Sequence, residues 1–120
     1  MRDVTRGGLA TILNEFAGAS GLTAHLEGEA IPVRPAVRDF CGILGLDPLT
    51  MGNEGKMIAV VDKEDADEAL RLMRETACGR EAVRIGEMTD RADACVILHT
   101  AIGGERIVAP LVGEGLPRIC

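Results

Sequence analysis

Tryptophan and tyrosine are missing from the 120 residues, and phenylalanine occurs twice. Any core must therefore be aliphatic, built from Leu, Ile, Val, Ala and Met without aromatic anchors. Basic residues are outnumbered, 13 Lys and Arg against 19 Asp and Glu, which leaves a net charge of −6. That balance argues against nucleic acid as a partner, because neutralising phosphates takes a basic face. No apolar run is long enough to cross a bilayer and no charged-then-apolar leader opens the chain, so no membrane role is expected. CxxC pairs are also missing, and Cys41, Cys78, Cys95 and Cys120 stand at irregular spacings. Such spacing favours reduced thiols in a cytoplasmic protein over a disulfide framework or zinc site, and no metal site is expected.

What remains is enough material for one domain with a core. Asp3 or Thr5 can cap a first helix whose apolar face is Leu9, Ile12, Leu13, Phe16 and Ala17, with Gly18 and Gly21 at its exit. The Gly7-Gly8 pair at its start, with Arg6 beside it, forms a weak candidate for an anion cradle. A short strand follows at 22–27. Pro35 suits the first turn of a second helix, with Val37, Phe40, Cys41 and Leu44 inward. A loop over 45–56 ends in Asn53-Glu54-Gly55-Lys56; its Gly-Lys pair fails the P-loop spacing, and Met57 stands where Ser or Thr is required. The apolar run 57–61 reads as a central strand.

Asp62 then caps a third helix with Ala66, Ala69, Leu70 and Met73 inward, and Cys78-Gly79 ends it. Strands near 82–88 and 94–108 follow, the latter turned as a hairpin at Gly103-Gly104. Cys41, Cys78 and Cys95 read as structural thiols on apolar faces or element ends, and His25 and His99 as isolated structural or surface residues. The order αβαβαβββ gives an α+β fold with a four-stranded mixed or antiparallel sheet carrying helices.

The chain ends Pro117-Arg118-Ile119-Cys120. A terminal thiol is a nucleophile that nothing downstream can cover; Arg118 favours its thiolate and the α-carboxylate opposes it. Pro117 stiffens the base of this arm, while Gly113 and Gly115 free it to swing. The reading is a domain over 1–112 and a flexible tail over 113–120.

Met1-Arg2-Asp3-Val4-Thr5-Arg6-Gly7-Gly8-Leu9-Ala10 and the terminal Pro117-Arg118-Ile119-Cys120 together resemble the HypE family of hydrogenase maturation factors. Ile31-Pro32-Val33, Leu44-Gly45-Leu46-Asp47-Pro48-Leu49 and Asn53-Glu54-Gly55-Lys56 agree. Val4 departs from the usual proline or alanine. The resemblance covers the C-terminal half of that family, so Met1 reads as an internal residue of a longer, ATP-binding enzyme. It implies a fold like the C-terminal domain of aminoimidazole ribonucleotide synthetase (PurM), within the superfamily shared with selenophosphate synthetase.

The resemblance also implies a chemistry. The terminal cysteine receives a carbamoyl group from the carbamoyltransferase HypF. ATP with Mg2+, bound mainly by the other half, phosphorylates the thiocarbamate oxygen; a base takes the nitrogen protons and phosphate leaves. The resulting thiocyanate supplies cyanide for nickel–iron hydrogenase on the HypC–HypD complex. On this reading Cys120 is the carrier and Glu54 the base. Asp3, Thr5, Arg6, Gly7 and Gly8 face ATP or its phosphates, Pro117 and Arg118 shape the tail, and Asn53 and Lys56 are further loop candidates. The full-length protein is a homodimer, and this fragment alone is inactive. Two alternatives stand beside it: a non-enzymatic thiol carrier or small-molecule-binding α+β module, and a purine-biosynthesis or selenophosphate enzyme, against which the terminal cysteine counts.

Overall fold

A computed structural model describes residues 1–91 and 93–110, so Pro117, Arg118 and Cys120 lie outside the described residues. Nine elements follow in order: β1 (Arg2–Asp3), α1 (Gly8–Ser20), β2 (Thr23–Glu27), α2 (Pro35–Leu44), β3 (Met57–Ile58), α3 (Ala66–Glu75), β4 (Gly86–Thr89), β5 (Val96–His99) and β6 (Glu105–Ile107). The fold is α+β. A four-stranded mixed sheet runs β4-β2-β5-β6, and β1 pairs with β3 in a separate two-stranded ribbon. β2 is antiparallel to β4 and parallel to β5, while β5 and β6 form the hairpin expected at Gly103-Gly104.

α1 keeps the face read from its spacing. Ile12, Leu13 and Ala17 are buried, and Leu9 and Phe16 are half-buried. Ala10 and Leu13 pack with Ala24 and Leu26 of β2 and Val96 and Leu98 of β5, and Ile31, Leu49 and Val108 complete the aliphatic core. Each large side chain so covered contributes about 1.5–3 kcal/mol relative to exposure. Asn14 Nδ2 donates to Ala10 O and Val108 O, 2.8 Å each, which ties the helix to the end of the hairpin.

Elsewhere the expectations are corrected. Neither Asp3 nor Thr5 caps α1; its N-cap is Gly7, left-handed at φ 73, without a side-chain cap bond. Of the inward face expected for α2, only Cys41 is buried, while Val37, Phe40 and Leu44 are exposed. Asp65 rather than Asp62 is the N-cap of α3. Asp62 instead closes the preceding turn, its Oδ1 accepting from Glu64 N. The inward face of α3 has the right phase but is only half-buried. Cys78 is exposed rather than packed, and Cys95 is half-buried.

The run 57–61 is not a central strand. Val4 N donates to Lys56 O at 2.8 Å and β1 captures Met57 and Ile58, so the segment joins the ribbon. Met57, Val60 and Val61 are left exposed. The strand expected over 82–88 begins only at Gly86, and Ala82 O accepts from Arg74 Nε of α3 rather than from a neighbouring strand. The sheet obtains its fourth strand by splitting 94–108 into β5 and β6.

Candidate functional site

Two segments far apart in sequence close on each other at the start of α1. Val4 is buried and donates to Lys56 O; Asn53 N donates to Thr5 O at 3.2 Å; Ala10 N donates to Leu49 O at 2.9 Å. These three backbone bonds lace the segment 4–10 to the loop 49–56. Arg2 adds an ion pair to Glu15 of α1, Nη1 to Oε2 at 3.1 Å.

Glycine is required at the seam. Gly8 sits at φ 63, and a Cβ there would lie 2.4 Å from Leu49 O and 2.6 Å from Met51 O. Gly7 is also left-handed, and its Cβ would meet Thr11 Oγ1 at 2.1 Å. Gly8→Ala is expected to destabilise the protein by about 1–3 kcal/mol from backbone strain alone, with the two oxygen clashes adding to it. Chemical denaturation read by circular dichroism measures this; an unchanged midpoint would show that the loop can retreat at no cost.

The loop is braced at its other end. Asp47 Oδ1 accepts from Leu49 N at 2.9 Å, and Thr50 N and Oγ1 donate to Asp47 O. Asp47 Oδ2 pairs with Arg106 Nη2 at 2.5 Å, joining the loop to β6. The Asp-Pro dipeptide at 47–48 carries a turn signal in sequence, with Asp at the first position and Pro at the second. The partner Arg106 carries none.

The site residues read from sequence fall as follows. Thr5 and Gly7 are half-buried, Gly8 is buried, and Asp3 and Arg6 are exposed. Asn53 Oδ1 accepts from Lys56 Nζ at 2.7 Å and from Glu54 N at 3.1 Å. Asn53 therefore holds both neighbours, while Glu54 and Lys56 remain exposed. Gly55, at φ 73, makes the turn between them. Eight of the named residues thus share one rim: Asp3, Thr5, Arg6, Gly7, Gly8, Asn53, Glu54 and Lys56. Cys120, Pro117 and Arg118 lie outside the described residues.

The helix N-terminus is partly spoken for. Gly8 N donates to Thr5 O at 3.1 Å and Ala10 N to Leu49 O, so those amides are not free for a phosphate. Among the described residues the amides of Gly7 and Leu9 have no hydrogen-bond partner. With Thr5, Arg6 and Lys56 they form a set of donors suited to a phosphate-bearing substrate, beside the carboxylates of Asp3 and Glu54. Among the described residues no group of three or more His, Cys, Asp or Glu is arranged to hold a metal ion. His25 and His99, read as isolated, in fact touch each other elsewhere in the fold, His25 Nδ1 lying 3.1 Å from His99 Nε2. Their separation in sequence hides this contact, which arises from the parallel pairing of β2 with β5.

Residues 1–99 match the family model described as AIR synthase related protein, C-terminal domain. The chain belongs to that family. It is similar to carbamoyl dehydratase HypE from Bradyrhizobium diazoefficiens, 52% identical over 120 residues, covering 100% of this chain and 35% of that protein. It is also similar to carbamoyl dehydratase HypE from Cupriavidus necator, 51% identical with 100% of this chain and 34% of the relative covered. The chain therefore spans about a third of the length of these curated relatives.

Among solved structures, a hydrogenase maturation protein HypE in complex with ATP superposes with a TM-score of 0.88 at 48% identity, over 99% of this chain and 37% of that one. The HypE–HypF complex gives a TM-score of 0.85 at 37% identity, over 92% of this chain and 35% of its counterpart. Within this AIR synthase related family the likeness thus runs to the hydrogenase maturation branch. Among the described residues no helix is long and apolar enough to cross a membrane.

Proposed function

We propose that this chain is the C-terminal part of an ATP-dependent carbamoyl dehydratase of hydrogenase maturation, with residues 113–120 as its carrier arm. One observation carries the reading: the lacing of segment 4–10 to loop 49–56 sets Thr5 and Arg6 beside Asn53, Glu54 and Lys56. This occurs in a chain about half identical to carbamoyl dehydratases.

In the proposed sequence the Cys120 thiolate attacks the carbonyl carbon of a carbamoyl donor, the S–C bond forming as the bond to the donor's leaving group breaks, and becomes an S-bound thiocarbamate. The carbonyl oxygen takes a phosphoryl group from the substrate ATP, which turns that oxygen into a leaving group. Arg6, Thr5 and the free amides at the start of α1 bind and orient the phosphate as negative charge builds on it. The nitrogen gives up both of its protons, the first to solvent as phosphorylation of the oxygen leaves a neutral C=N–H group and the second to Glu54 as the C–O bond breaks. As the C–O bond breaks, the oxygen departs on phosphate and the S–C≡N group remains. The thiocarbamate thus loses the elements of one water. Lys56, pinned by Asn53, screens the charge beside Glu54.

The described residues fit the phosphate but supply no acidic cluster for Mg2+. The metal ligands and most nucleotide contacts therefore fall to the remainder of the full-length protein. HypF is the proposed carbamoyl donor, supported by the complex solved for a relative. The HypC–HypD complex is the proposed cyanide acceptor. The full-length protein is proposed to be a homodimer in the cytoplasm, where free thiols persist.

The test is mass spectrometry of the tail peptide of the carbamoylated full-length protein after addition of Mg-ATP. Loss of one water from that peptide is expected, and persistence of the carbamoyl mass would refute the reading. The 120-residue chain alone is expected to hydrolyse ATP no faster than background, because its rim offers phosphate donors without a metal site. A coupled ADP-release assay checks this, and measurable turnover would assign the whole nucleotide site to this domain.

A further inference from the structure

The chain has two histidines, and both lie on the sheet face turned away from α1. Side chains alternate along β2 and β5, so Ala24, Leu26, Val96 and Leu98 enter the core while His25 and His99 take the other side. His25 Nδ1 and His99 Nε2 are 3.1 Å apart, the ring centroids are 5.4 Å apart and the planes differ by 18°. The centroid separation exceeds the nitrogen separation by about two ring radii. Both nitrogens therefore lie between the ring centres, and the imidazoles meet edge to edge rather than face to face. Their lone pairs aim at each other and not at a common third point. The contact is a hydrogen bond, not a chelate.

The outer nitrogens complete a row. His99 Nδ1 lies 3.4 Å from Glu105 Oε1 of β6. His25 Nε2 is on the far side of its ring from His99, and on β4 Glu87 stands in register with His25. Both rings line a cleft of about 420 Å³ that Glu27, Arg84, Glu87 and Thr89 share. Arg84 Nη2 is 3.3 Å from Glu87 Oε2, and on β5 the neighbour of His99 on the same face is the apolar Ile97.

Counting hydrogens decides what the row can do. It has three positions: between Glu105 and His99, between the rings, and between His25 and the cleft. Two neutral imidazoles supply two hydrogens, so one outer nitrogen always carries none: either His99 Nδ1 beside Glu105 or His25 Nε2 in the cleft. A third hydrogen fills every position. A fourth would set two N–H groups head to head and break the side-chain link between the rings.

We propose that His25 and His99 bind one proton as a single unit and relay it across the open face of the sheet. A proton enters at His25 Nε2 from the cleft. The hydrogen of the middle bond passes from His25 Nδ1 to His99 Nε2, and the hydrogen on His99 Nδ1 leaves to Glu105. The reverse order carries a proton back to the cleft. The relay is separate from the rim at the start of α1 and does not rest on the proposed dehydratase chemistry.

Long-range 1H–15N spectra of the 15N-histidine-labelled protein, recorded across a pH series, test this. A 15N–15N coupling across the hydrogen bond is expected between His25 Nδ1 and His99 Nε2, and both rings should shift together as the first proton is taken up. In His99→Gln the coupling is lost and His25 responds alone. Two rings that respond independently in the wild type, with no coupling, overturn the proposal without reference to any variant. A response of His25 in His99→Gln identical to that in the wild type overturns it as well.

Discussion

Replacing Cys120 by alanine in the full-length protein is expected to abolish carbamoyl acceptance. The proposed reaction needs a sulfur nucleophile that can reach a donor, a phosphorylation site and an acceptor in turn. Cys41 cannot substitute: it is 1% exposed, with Sγ 3.2 Å from Met51 Sδ under the loop. Cys95 is half-buried beside β5. Cys78 is exposed, which the sequence did not suggest, but it sits in the turn after α3, well before the terminal arm. Cys120→Ser should fail as well, since a hydroxyl is a far weaker nucleophile at neutral pH.

Intact-mass spectrometry after incubation with the carbamoyltransferase and its substrates should show one adduct on the wild type and none on either variant. A carbamoyl group on Cys78 in Cys120→Ala would overturn the assignment. Because Cys78 is exposed, native alkylation alone does not single out Cys120; quantifying the tail peptide against the Cys78 peptide does.

Glu54→Gln in the full-length protein should leave carbamoylation intact and slow conversion to thiocyanate by a factor on the order of 10²–10⁴, the usual contribution of a general base. The carboxylate is exposed, while its backbone is held by Asn53 Oδ1 on one side and turned by Gly55 on the other. A reactive group on a fixed backbone with a free side chain can meet a substrate that arrives from outside. The amide of glutamine keeps the shape and removes the proton acceptor. The carbamoylated tail peptide should accumulate in the variant and lose water correspondingly slowly. Normal conversion would leave Glu54 a structural residue of the loop.

The sequence made the core helix and the rim legible, and the sheet much less so. Leu9, Ile12, Leu13, Phe16 and Ala17 repeat with the period of a helix, and that face packs on the sheet. Pro35 at the first turn of α2 was equally readable. The helix face behind it was not, because Val37, Phe40 and Leu44 look the same in sequence whether they meet a core or stay uncovered. The run 57–61 misled for a related reason. Continuous apolar residues fit a central strand or a surface ribbon, and the partner that decided between them, Arg2–Asp3, is too short to signal itself.

Cap chemistry failed at α1, where the lacing at Thr5 O and Leu49 O replaced a side-chain cap. The rim residues were found by family resemblance, whereas their mutual contact came from the three backbone bonds. The histidine pair was invisible, since only the register of β2 on β5 brings position 25 beside position 99.

That register also bears on how the chain acquires its shape. Every neighbour of β2 comes from late in the sequence: Ala24 pairs with Met88 on one side and with Val96 on the other. Parallel partners cannot be joined by a tight turn, and closing so long a loop costs entropy before any contact repays it. The early helix α1 can form locally, but the apolar face of β2 has no sheet to join until β4 and β5 are available. Loop closure rather than helix formation is therefore expected to limit the folding rate of this domain.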